Sequence, residues 1–212
     1  MSLRKIALGS LGITAAALLV TTTVYASTTD SEDHFSLAAG TIVKGALVSG
    51  TKMVFNGKVD GTSVTVKCTK FASAGKIPAK GLTVTLSAPP TISGCTDSAG
   101  GTDTVKTNQT NGAWKMREVD AASDESATEP NSGDKLKLII PKRGAVFSSS
   151  LLAGCKITVA PSGPASVTGK YNDINTDTVT KAPVPVSASG CTASGTTATA
   201  KVILSPKVHD KS

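Results

Sequence analysis

Residues 52–69 read KMVFNGKVDGTSVTVKCT, and one register pairs this stretch with itself so that its side chains sort by polarity. A two-residue turn at Asp60-Gly61 suits type I′ geometry, because both residues tolerate positive φ. Val59 then faces Thr62, Gly57 faces Val64, Phe55 faces Val66 and Met53 faces Cys68, giving one largely apolar face. Asn56, Lys58, Ser63, Thr65 and Lys67 fall on the other face, with Val54 the exception. A slip of one residue would scramble this sorting, and the rival turn at Asn56-Gly57 matches the alternation less well. The stretch therefore predicts an antiparallel hairpin with Cys68 pointing inward.

Short strand candidates follow at Leu82–Ser87, Ala113–Val119, Lys135–Ile140, Ala145–Ser149, Lys156–Ala160, Ala165–Tyr171, Asp177–Lys181, Pro185–Ser189 and Thr196–Leu204. Turn-formers such as SAGGTD, KRG, PSGP and YNDINTD separate them. Many short strands without intervening helices predict an all-β chain, an antiparallel β-sandwich or barrel-like domain stapled by two disulfides.

The first residues carry the pattern of a secretory signal. Arg4 and Lys5 precede the uncharged run Ile6–Val20, and Val24 and Ala26 occupy the small-residue positions of a cleavage site. The rival reading is a membrane anchor, but the apolar run is short against the roughly 20 residues a spanning helix needs. The expected layout is a signal peptide over 1–26, a loose lead-in over 27–40, one β-domain over 41–206 and a tail over 207–212. No membrane span is expected after cleavage. Within the domain, residues 118–134 hold six acids and no base. Such composition predicts a solvated, flexible insertion, with a calcium-binding or partner-recognition loop as the alternative.

The order VTVKCT, TISGCT, NGAWKM, AGCKITV, VTGKYND, SASGCT and VILSP resembles a family of secreted four-cysteine all-β proteins of actinobacteria. The likeness runs from about Val64 to Pro206 and implies secretion and an all-β fold; it transfers no catalytic residue. The long acidic insertion departs from the compact loop that the family pattern implies. A fainter likeness in layout is to small secreted proteins labelled activators of alkane oxidation.

All 4 Cys follow the expected leader, and an even number in an oxidising compartment favours disulfides. Of three possible connectivities, the positions of the cysteines along the strands favour Cys68–Cys95 with Cys155–Cys191. The Ser-Gly-Cys-Thr copies around Cys95 and Cys191 then read as repeated staples, each with a glycine that lets the backbones approach.

Catalytic chemistry finds little purchase. No Gly-x-Ser-x-Gly elbow occurs, and Ser49-x-x-Lys52 and Ser73-x-x-Lys76 lie in strand-like surroundings without a companion Lys-Thr-Gly. The only His residues, His34 and His209, lie near the ends of the secreted portion. Glu118, Glu125 and Glu129 lie in or beside the acidic insertion, which disfavours a carboxylate pair there. One Trp, Trp114, and few other aromatics argue against carbohydrate platforms and nucleic-acid binding. Trp114 reads as core first and as a ligand-facing side chain second. Asp173, Asn175 and Asp177 have the spacing that opens a calcium loop, although Thr178 and Val184 stand where its glycine and closing glutamate belong; the blander reading is an Asx-rich turn. No catalytic, cofactor-binding or metal-binding residue is assigned, and no cofactor is expected.

Apart from Arg117 and Arg143, the basic residues after the leader are Lys scattered along strands. They suit solubility and edge protection, or loose attachment to acidic wall polymers or to another envelope protein. The function expected is that of a non-enzymatic structural or binding protein, extracellular and at or near the bacterial cell envelope. The alternative is a secreted hydrolase, or a hydrolase inhibitor, with an unrecognised site.

Overall fold

The computed structural model describes residues 34–35, 37–119, 135–171, 176–206 and 210–211. The expected leader, Asp173, Asn175 and residues 120–134 of the acidic insertion lie outside the described residues. Among the described residues there are strands and no helix. In chain order they are β1 (His34–Phe35), β2 (Ile42–Leu47), β3 (Met53–Val59), β4 (Thr62–Lys76), β5 (Thr83–Leu86), β6 (Thr91–Asp97), β7 (Thr102–Thr107) and β8 (Lys115–Val119). Then come β9 (Lys135–Ile140), β10 (Ala145–Ser149), β11 (Lys156–Val159), β12 (Ala165–Tyr171), β13 (Thr176–Pro183), β14 (Val186–Ser189), β15 (Ala193–Ser205) and β16 (Asp210–Lys211).

The opening hairpin has the register its polarity demands. Val59 pairs with Thr62, Phe55 with Val66 and Met53 with Cys68, and Asp60 and Gly61 turn the corner with φ of 47° and 79°. The carboxylate of Asp60 also accepts hydrogen bonds from the Thr192 amide (2.7 Å) and hydroxyl (3.0 Å), tying the hairpin tip to the corner between β14 and β15.

Ladder pairing closes eight strands into an antiparallel barrel in the order β4-β2-β15-β13-β12-β9-β8-β5, with β5 returning to β4. Closure removes the unpaired edges that an open sheet of this size would expose. Strands β6, β7, β10, β11 and β14 continue outward from β4 as a second sheet, and β3 bridges β4 and β15. The long strands β4 and β15 therefore serve both sheets.

Strand β4 does this by changing its inward side. Val64, Val66 and Cys68 face inward along its first half; Phe71, Ser73 and Gly75 do so along its second, so the parity switches from even to odd. The switch lies opposite Gly94 of β6, whose φ is +64° and where a Cβ would come within 2.2 Å of the Thr69 hydroxyl oxygen. A local break in the pleat re-aims every following side chain, so Ile92 and Cys95, three apart, both turn inward.

Both expected disulfides are present, Cys68–Cys95 and Cys155–Cys191. The first joins directly opposed residues of β4 and β6. The second links the residue before β11 to the corner after β14, where Gly190 (φ +76°) presses against Gly154 so closely that a Cβ would lie 2.3 Å from its carbonyl oxygen. In the chain-entropy picture each closed loop contributes about 3–4 kcal/mol. The core they brace includes Val43, Phe71, Val84, Trp114, Met116 and Leu204. Burying each of the larger side chains contributes about 1.5–3 kcal/mol. The two ends of the described chain meet as well: His34–Phe35 pairs with Asp210–Lys211, and Phe35 is buried.

Candidate functional site

Between the outer sheet and the β3–β4 hairpin lies a cavity of about 70 Å3. Phe55 and Val59 of β3, Val64 and Val66 of β4, and Ile157 and Val159 of β11 supply its apolar walls. Alternation brings the apolar side chains of these strands to the hollow, while at β3 the intervening Asn56, Gly57 and Lys58 border it too. A second cavity of similar size lies against the barrel wall, lined by Phe71, Trp114, Leu138, Val167, Val179 and Val202, among others. Phe55, Phe147, Val159 and Val184 line both cavities. The Phe55 and Phe147 rings meet edge to face with centroids 4.8 Å apart, so this pair forms the shared wall.

Besides Asn56 and Lys58 of β3 and Thr196 of β15, the outer cavity has a polar cluster from the ends of three neighbouring strands. Asp97 closes β6, Asp103 lies on β7 directly opposite Ser149 of β10, and all three line the hollow. Asp97 is held by its own turn. Its Oδ1 accepts from the amides of Ala99 (2.9 Å) and Gly101 (2.8 Å), and its Oδ2 accepts from the Ser149 hydroxyl (2.8 Å). Burial pushes its pKa up, but hydrogen bonds from Gly101, Ser149, Ala99 and Gly100 outweigh burial and hold the carboxyl below its ordinary value of 3.8. A carboxylate so engaged is ionised and committed to the turn.

Asp103 is in the opposite position. It is 7% exposed, and its Oδ2 accepts no hydrogen bond. Burial, reinforced by the charge of Asp97 and partly offset by the Ser149 hydroxyl, pushes its carboxyl up to about 6. Lys58, an exposed side chain of β3, and the cystine sulfur of Cys155 border the same hollow. Leu152 adds to the wall, and its neighbour Leu151 is 55% exposed.

The residues singled out in sequence fall elsewhere. Trp114 is core and also lines the barrel-side cavity; its indole N–H donates to the Asn108 carbonyl at 2.8 Å. Asp177 sits on β13, 6% exposed, facing that same cavity with its Oδ1 unpartnered. It lies against Gly169, where a Cβ would collide with its carboxylate, and burial pushes its pKa up to about 7. Asp173 and Asn175 lie outside the described residues. Among the described residues no three His, Cys, Asp or Glu side chains gather to hold a metal. Ser73 is buried on β4 while Lys76 is exposed, so that Ser-x-x-Lys pair does not converge.

Sequence reasoning missed Asp97 and Asp103 because SAGGTD was read as a turn and neither β6 nor β7 was expected. A signal was present in TDTVKT: once Lys106 points outward, Asp103, three residues back, must point inward. No family model, no curated protein and no solved structure matches this chain.

Proposed function

We propose that this is a secreted, non-enzymatic binding protein that works at or near the bacterial cell envelope and holds a slender apolar ligand in the outer cavity. One observation carries the reading: a hollow with mainly apolar walls that keeps at its edge a buried carboxyl with one oxygen unpartnered. Binding sites are typically apolar enclosures with a few placed polar groups, and a fold indifferent to ligands would gain by replacing Asp103 with an apolar residue. Secretion is supported by the N-terminal pattern and the two disulfides. The dispersed Lys side chains support loose attachment to acidic wall polymers or to another envelope protein, and the resemblance to secreted actinobacterial proteins points the same way.

The site is tested by titrating n-hexanol while following the methyl resonances of Val64, Val66, Ile157 and Val186. Saturable shifts confined to these methyls are expected, and a response that never saturates refutes the reading. Location is tested separately, by salt-washing cells at low and then high ionic strength. A protein found wholly in the medium at low ionic strength argues against the envelope.

The pair Asp97 and Asp103, two carboxyls pushed to opposite sides of their ordinary value, also favours a secreted hydrolase. Against it, Asp97 spends both oxygens on its turn and on Ser149, and the walls are mainly aliphatic and aromatic, with Asn56, Lys58 and Thr196 their few other polar side chains. Turnover of polysaccharide, ester or peptide substrates by the purified protein, abolished by Asp103→Asn, would establish the hydrolase instead.

A further inference from the structure

We propose that the outer cavity is a site for a short-chain primary amine, its ammonium against Asp103 and its hydrocarbon chain between Phe55, Val66, Phe147 and Ile157. This rests on the reading that the cavity takes an apolar ligand, and adds what the ligand's head must be.

Every oxygen of Asp97 is occupied, whereas Oδ2 of Asp103 is buried and receives nothing. A buried carboxylate without a donor is a large penalty, and a donor arriving with the ligand removes it. Asp97 is ionised and lies in the same lining, so the hollow already carries negative potential before Asp103 loses its proton. Such a field favours a cationic donor over a neutral one, and charge-assisted hydrogen bonds are the stronger kind.

The charged and titratable groups facing Asp103 are Asp97 on β6 and Lys58 on β3, with the Ser149 hydroxyl on β10. Lys58 is the one cation in that lining, and it is exposed. A long exposed lysine turns its ammonium into water, whereas two carboxyls fixed on neighbouring strands cannot withdraw. The balance inside the hollow is therefore acidic. A metal ion is disfavoured because, among the described residues, only two carboxyls meet here, and both oxygens of Asp97 are already taken by its turn and by Ser149. The hollow is open to solvent on one side, so a linear chain can lie along its walls with its far end at the rim. The exposed Leu151 beside Leu152 adds apolar surface at the rim.

Calorimetric titration of the full secreted chain with n-hexylamine, n-hexanol and n-hexanoate tests this. The amine is expected to bind about tenfold tighter than the alcohol, as one charge-assisted hydrogen bond gives, and the carboxylate weakest. Asp103→Asn should erase the amine's advantage and leave hexanol affinity in place. Lys58→Ala, at an exposed position that tolerates truncation, should tighten the amine about twofold. Equal affinity for amine and alcohol overturns the amine assignment and leaves the apolar site standing. Tightest binding of hexanoate overturns it too, by showing that Lys58 reads the head group. An amine affinity unchanged or weakened in Lys58→Ala counts against it in the same way. Binding of none of the three overturns both this inference and the cavity reading beneath it.

Discussion

Asp177 is a carboxyl among Phe71, Trp114, Leu138 and Val179, with one oxygen unpartnered, and burial pushes its pKa up to about 7. Asp103, pushed up to about 6, behaves alike. For both groups the folded state holds its proton more tightly than the unfolded chain does. The stability they contribute is thus complete below about 4, and it falls as pH rises through 6 and 7. Asp97, held low, acts in the opposite sense and loses its contribution only in stronger acid. The protein is therefore expected to melt at a higher temperature at pH 5 than at pH 8. Asp177→Asn should raise stability at pH 8 by on the order of 2–4 kcal/mol and flatten the slope. Thermal scans across that range check both, and an unchanged slope in the variant would refute the assignment to Asp177. The two cystine-flanking glycines make a second comparison. At Gly190 an added Cβ meets a backbone oxygen, whereas at Gly94 it meets a hydroxyl that can rotate away. Both have positive φ, so both alanine variants lose about 1–3 kcal/mol to backbone strain. Gly190→Ala should lose more, measured by chemical denaturation with the cystines intact.

Strands β8 and β9 pair up to Val119 and Lys135, so the ends of the acidic insertion lie one ladder spacing apart. Replacing residues 120–134 with Asn-Gly should leave the barrel folded, with a melting temperature within about 5 °C of the parent. Loss of cooperative melting would mean that the insertion does more than connect. Elements with local signals were the legible ones. The β3–β4 register followed from Asp60-Gly61 and the alternation, and β9, β10 and β12 from short apolar periodicity between turn-formers. Strands β6 and β7 were hidden because their inward faces carry Asp97, Asp103 and Thr107 in place of aliphatic residues, and because Gly94 breaks the alternation of β6. The polar content that makes them a candidate site is what removed their strand signature. The choice of a closed barrel over a sandwich, both of which the strand pattern allowed, was out of reach, since the pairing of β4 with β5 joins few residues and depends on how the whole sheet curls.

Across the whole molecule, the two cavities share one aromatic wall and the two sheets share β4 and β15, so neither compartment has a core of its own. Unfolding in denaturant is expected as one transition by every probe, Trp114 fluorescence on the barrel side and methyl resonances of Val64 or Ile157 on the other. Two separated midpoints would show that the compartments are independent. Removing Cys155–Cys191 by paired Cys→Ala substitution should lower stability by about 3–4 kcal/mol and lower both signals together. The shortage of aromatics, read in sequence as an argument against stacking platforms, takes on a further meaning in the fold. Two of the four Phe form the partition, the outer hollow has no other aromatic side chain in its lining among the described residues, and Phe71 and Trp114 lie on the barrel side.

The parity switch in β4 has a bearing on how this chain can change by descent. Its first half points even-numbered residues at one hollow and its second half points odd-numbered residues at the other. One inserted or deleted residue between Thr62 and Lys76 would thus mis-seat side chains against a compartment and throw Cys68 off Cys95. Descendants of a common ancestor should accordingly keep this interval at constant length while their turns lengthen and shorten, so that β4 acts as the ruler against which the rest of the gene is free to drift.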